Sequence, residues 1–63
     1  MTIGKYLEKV NPSQVCAYYD KHNNLKWLGK AEFAPIYLDW CKLSRSEYVG
    51  QELRVYEGGL LIS

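Results

Sequence analysis

The sequence predicts an α+β fold: a short N-terminal helix and a one-to-two-turn crossover helix on a small, mainly antiparallel sheet of three to four strands. Three observations point there. Apolar residues recur at helical spacing near the N-terminus, in Ile3, Tyr6, Leu7 and Val10. Two later segments, 14–20 and 51–57, have strand composition and no helical stripe. The most aromatic stretch, 29–41, is interrupted by Pro35, which lacks the N–H that a central strand must donate. With 63 residues the chain reads as one small domain, hiding only about 60% of the surface its unfolded form exposes. Ordering each residue costs roughly 1.5 kcal/mol. Nearly all of the 48% hydrophobic content must therefore contribute to burial, and six tyrosines and two tryptophans supply large buried areas.

In the first element, Lys5, Glu8 and Lys9 fall opposite the apolar face. Thr2 is placed to cap it, its hydroxyl accepting a backbone N–H that the first turn leaves unpaired. Gly4 weakens the helix, and Asn11-Pro12 stops it, because the residue before a proline avoids the α region. A helix of about nine residues is too short to stand alone in water, so it must pack on the rest of the chain.

Residues 14–20 carry apolar side chains on both parities, Val15, Ala17 and Tyr19 against Cys16 and Tyr18, as a central strand or one covered on both faces does. Lys21-His22-Asn23-Asn24 supplies a turn, since asparagine tolerates left-handed backbone. Residues 25–30 return as the hairpin partner, with Leu25 and Trp27 on one face. Proline is at home in the first turn of a helix, so 34–39 is the crossover, with Ile36 and Tyr37 or Leu38 tucked onto the sheet. Residues 40–48 read as the third strand and Val49-Gly50 as a turn. Residues 51–57 form a half-buried strand that alternates Leu53 and Val55 against Glu52, Arg54 and Tyr56. Gly58-Gly59 makes a bend, and 60–63 is a short continuation able to add to a sheet edge.

The order "TIGKYLEKV", then "YYDKHNNLKWLGKAEFAPIYLD", then a closing hairpin resembles small proteins of bacteriophages and prophages of Gram-positive bacteria. Those chains open with a "TI…YL" helix, followed by a strand ending in Asp, an Asn-rich turn and "GKA…P…YLD". The likeness spans residues 2–39, and the later strands match in pattern. It implies viral origin, action in the bacterial host cytoplasm, and a host-directed or accessory role. It transfers no catalytic residue.

The net charge is +1, unevenly spread. Residues 1–30 hold five lysines against two acids, a net of +3, and residues 31–63 hold three cations against five acids, a net of −2. A dedicated nucleic-acid binder shows a strong basic excess, which this chain lacks. The opening "MTIGKYLEKV" has charges where a signal peptide has an apolar run, and no stretch is long enough to cross a membrane. A cytosolic protein with Cys16 and Cys41 reduced is expected.

The five glycines do not have the spacing of a phosphate loop. Cys16, Asp20, His22 and Cys41 lack metal-site spacing. No serine has a nucleophile-elbow context. No enzyme, metal or cofactor is expected.

What remains is binding. The first reading is a protein-binding module, an inhibitor or modulator of a host protein. Its patch is centred on Tyr37 and Trp40, with Asp39, Lys42 and Arg54 at the rim, because Tyr and Trp dominate binding hot spots. The second is a nucleic-acid-binding sheet face, with Tyr18, Trp27 or Tyr56 stacking on bases beside Lys26, Lys30 and Arg54. The third is an assembly protein, a homodimer joined along a sheet edge through 60–63.

Overall fold

Thr2, in extended backbone, accepts the Lys5 N–H on Oγ1 at 3.2 Å and so starts helix α1, Ile3–Glu8. Ile3 and Leu7 are buried by it, and Tyr6 and Val10 pack against the core they enter. The apolar face is the one its spacing predicts, although the helix itself ends at Glu8. The computed structural model describes residues 1–58.

Four strands form one sheet: β1 (Val15–Tyr19), β2 (Leu25–Lys30), β3 (Leu43–Val49) and β4 (Glu52–Glu57), in the order β2-β1-β4-β3. The β1–β2 and β3–β4 pairs are antiparallel, and β1 lies parallel to β4 in the centre. Most of the pairing is antiparallel, as expected. The turn after β1 is built by Asp20, whose Oδ1 accepts the His22 and Asn24 N–H groups at 2.8 and 2.9 Å. Asn23 takes the left-handed φ of 64°. The second hairpin turns at Gly50-Gln51, one position later than expected, with Gly50 at φ 65°.

One face of the sheet presents Cys16 and Tyr18 from β1 and Leu53 and Val55 from β4, and α1 packs over it. Ile3, Leu7, Ala31 and Leu38 complete the core. The opposite face has no second layer among the described residues. It is carried by Ala17 and Tyr19 of β1, Leu28 of β2, Arg54 and Tyr56 of β4, and Arg45 and Glu47 of β3, as strand alternation and register dictate.

Between β2 and β3 the chain makes two 3₁₀ turns, η1 (Ala31–Phe33) and η2 (Ile36–Trp40). The crossover element is therefore helical where Pro35 predicts it, but with a period of three. This delays the third strand, which begins at Leu43 rather than at residue 40, because η2 runs through Trp40 and closes with Cys41 N–H donating to Leu38 O at 3.2 Å. The edge expected at 60–63 lies outside the described residues.

Candidate functional site

Four of the ten exposed large hydrophobic residues among the described residues lie in η1–η2. In a 3₁₀ turn, side chains three apart share a face. Pro35, Leu38 and Cys41 take the inner side, Leu38 being fully buried. Ile36 and Asp39 then share one flank, Tyr37 and Trp40 the other. Ile36 is thus 74% exposed and not part of the core, a correction to its expected place. An α-helical period would set the flanks differently. Leu38 occupies its expected place.

Phe33 (69% exposed), Ile36, Tyr37 (44%) and Trp40 (79%) stand outside a backbone that is fixed at both ends. At the start, the Ala31 and Glu32 N–H groups donate to Gln14 O and Pro12 O at 2.9 and 3.1 Å. At the end, Ile3 N–H donates to Cys41 O at 2.8 Å, and Lys42 bridges Thr2 and accepts the Gly58 N–H at 2.7 Å. Tyr37 leans edge-on against Tyr18, ring centroids 6.3 Å apart, leaving its far side in water.

Contact between α1 and η2 depends on Gly4. A Cβ there would overlap the Asp39 carboxylate and come within 2.9 Å of the Asp39 backbone nitrogen. Beside this contact runs a groove of about 420 Å³ whose walls include Leu7, Val10, Ala34 and Ile36, with Glu8, Glu32 and Asp39 also lining it.

The expected protein-binding set is only partly brought together. Tyr37 and Trp40 share a flank, Asp39 takes the groove side of the same turn, and Lys42 is exposed just beyond it. Arg54 does not join them. Its neighbours Leu53 and Val55 enter the core, so alternation sends Arg54 to the uncovered face, where it pairs with Glu52 at 3.0 Å and lies 5.7 Å from the Tyr19 ring.

The nucleic-acid set does not form one surface either. Tyr18 and Trp27 lie opposite each other on the helix-covered side, and Tyr18 is 5% exposed. Its hydroxyl donates to Glu57 Oε1 at 2.7 Å and meets Cys41 Sγ at 3.5 Å. Burial first, then these two contacts, push its pKa well above the usual tyrosine value, so it stays a neutral donor. Lys30 and Tyr56 belong to the uncovered face. The pairing of β1 with β2 skips Lys26, whose ammonium reaches Asp20 at 3.8 Å. On that face Tyr19 stacks on Tyr56 at 5.2 Å, Arg45 lies 3.9 Å above the Tyr56 ring, and the Tyr56 hydroxyl donates to Glu47 at 2.9 Å.

Cys16 and Cys41 are both free, and burial raises the Cys16 thiol pKa, which makes it a poor nucleophile. Among the described residues no group of three or more His, Cys, Asp or Glu is placed to hold a metal ion. No described helix is long and apolar enough to cross a membrane. Phe33, Glu8 and Glu32 belong to the site, and sequence reasoning misses them. Glu8 lies on α1 and Glu32 and Phe33 on η1, and only the fold brings the two elements together.

Comparison with protein-family models, with curated proteins and with solved structures finds no match for this chain.

Proposed function

We propose that this chain is a non-enzymatic protein-binding module, with the crossover as its contact surface. One observation carries the reading: Phe33, Ile36, Tyr37 and Trp40 are held exposed on a backbone anchored by hydrogen bonds at both ends. A large ring on a fixed backbone costs little to immobilise on binding, which is how aromatic anchors come to dominate interfaces. The resemblance of residues 2–39 to phage and prophage proteins supports a bacterial host protein as the partner and an inhibitor or modulator as the role.

The test compares wild type with Phe33→Ala and Trp40→Ala in capture from a bacterial host lysate, alongside thermal melting. Both variants should keep the melting temperature and lose the captured protein, and capture should tolerate salt. Capture unchanged in both would overturn the reading. Capture that falls steeply with salt and depends on nucleic acid would replace it with the nucleic-acid one.

A further inference from the structure

The groove beside the exposed rings specifies more than apolar contact. Its apolar wall combines α1 (Leu7, Val10) with the crossover (Ala34, Ile36). Three carboxylates also line it, Glu8 from α1, Glu32 from η1 and Asp39 from η2, and no Lys or Arg does. The ion pairs among the described residues use Asp20, Glu47 and Glu52, leaving the groove's three acids without a cation. Lys5 and Lys9 beside Glu8, Lys30 before Glu32 and Lys42 after Asp39 are the nearest cations in sequence; all four are exposed and none lines the groove.

A partner with an acidic flank would meet three like charges here. A partner with a basic flank would satisfy them, and the Ile36 wall would still take an apolar anchor. From this we infer that the α1–crossover groove binds a basic amphipathic segment of the partner protein, one apolar side chain in the groove and Lys or Arg on either side. The inference rests on the protein-binding reading and narrows it. It assigns the groove flank, Ile36 and Asp39, to the partner's charged segment, and leaves Tyr37 and Trp40 for contact outside it.

The experiment titrates the isotope-labelled chain with three short synthetic peptides, read by amide chemical shifts: one of lysine and leucine, one with glutamate for lysine, one with serine for leucine. The lysine–leucine peptide should shift Gly4, Leu7, Ala34 and Ile36, and the other two should not. The triple variant Glu8→Gln, Glu32→Gln, Asp39→Asn should bind it about tenfold more weakly, three rim charges each contributing a modest part. If the triple variant does not fold, Glu32→Gln alone, at an exposed position, should weaken binding in the same direction.

Equal binding of the glutamate–leucine peptide, or shifts mapping away from the groove, overturns the inference. So does equal binding of the serine peptide, which would show bare charge attraction. Concentration-dependent shifts in the groove without peptide would assign it to a second copy of the chain and also overturn it. The wider reading fails separately, if Phe33→Ala and Trp40→Ala leave capture intact or if capture depends on nucleic acid.

Discussion

Tyr19 and Tyr56 on the uncovered sheet face and Phe33 and Trp40 on the crossover are all large rings near the surface, yet their surroundings differ. The sheet tyrosines stack on each other, Arg45 covers one of them, and Glu47 accepts a hydrogen bond from the Tyr56 hydroxyl. Ala17 beneath them is fully buried although no second layer lies over that face among the described residues. Side chains that pair across strands can thus make a cover for a single sheet. The crossover rings take no such part. Among the described residues neither Phe33 nor Trp40 enters a ring–ring or cation–ring pair. Aromatic content alone therefore distinguishes nothing in a chain this small. What distinguishes the two regions is whether the rings' partners are already within the chain.

The largest expected effect tests the anchoring of the crossover. Leu38→Ala removes a fully buried side chain and should cost about 2–5 kcal/mol. Ile36→Ala, two positions away and exposed, should cost about 0.5 kcal/mol or less. Denaturant unfolding of the two variants measures both, and equal losses would mean the three-residue period is wrong.

Next comes Gly4→Ala. Alanine in a helix is favoured over glycine by about 1 kcal/mol, so propensity alone predicts stabilisation. The overlap with Asp39, backbone nitrogen included, opposes it, and forced contacts of this kind cost about 1–3 kcal/mol. Net destabilisation is expected, with amide shifts spreading into η2. A gain in stability would show that α1 and η2 are packed more loosely than this overlap implies.

Smaller still, and aimed at the comparison itself, is Tyr56→Ala. Losing the stack with Tyr19 and the contact with Arg45 should cost about 1–2 kcal/mol, while Trp40→Ala should leave stability nearly untouched. If Trp40→Ala unfolds the chain and Tyr56→Ala does not, the two regions have exchanged roles.

The least effect is expected in acid. The Asn24 N–H bond above all, then His22 N–H and Lys26, hold the Asp20 carboxyl below its ordinary pKa of 3.8. A carboxyl depressed by folding contributes stability above its unfolded pKa, and that contribution fades as pH falls through the folded one. Asp20→Asn keeps an acceptor oxygen for the turn and removes the titration. Its melting temperature should therefore fall less than that of wild type below about pH 4. Parallel curves would mean the turn gains nothing from the charge.

How much of this is legible in the sequence depends on whether the controlling contact is local. Thr2, the Ile3–Leu7 face and the Asn23 turn are settled within a few residues, and sequence reads them correctly. Pro35 announces a helical start but not its period, and the period alone decides that Ile36 faces out. In β1 both parities are apolar, so nothing local says that Tyr18 and not Tyr19 enters the core. Arg54 is misplaced for a different reason. Its alternation with Leu53 and Val55 is plain, but the covered side is the same side on which the crossover lies. The groove carboxylates come from three elements, and their proximity has no trace in spacing.

The parallel pairing of β1 with β4 has a consequence for synthesis. Each hairpin, β1–β2 and β3–β4, closes over a short turn, whereas Cys16 meets Leu53 only after nearly the whole described chain has been made. Such distant pairing carries the larger entropic cost and comes late. A nascent chain stopped before Leu53 would lack Leu53 and Val55, two of the largest fully buried side chains, and with them the floor on which α1 rests. Until β4 pairs with β1, the segment from Phe33 to Trp40 has no finished sheet behind it, and its rings sit on a backbone still free to move.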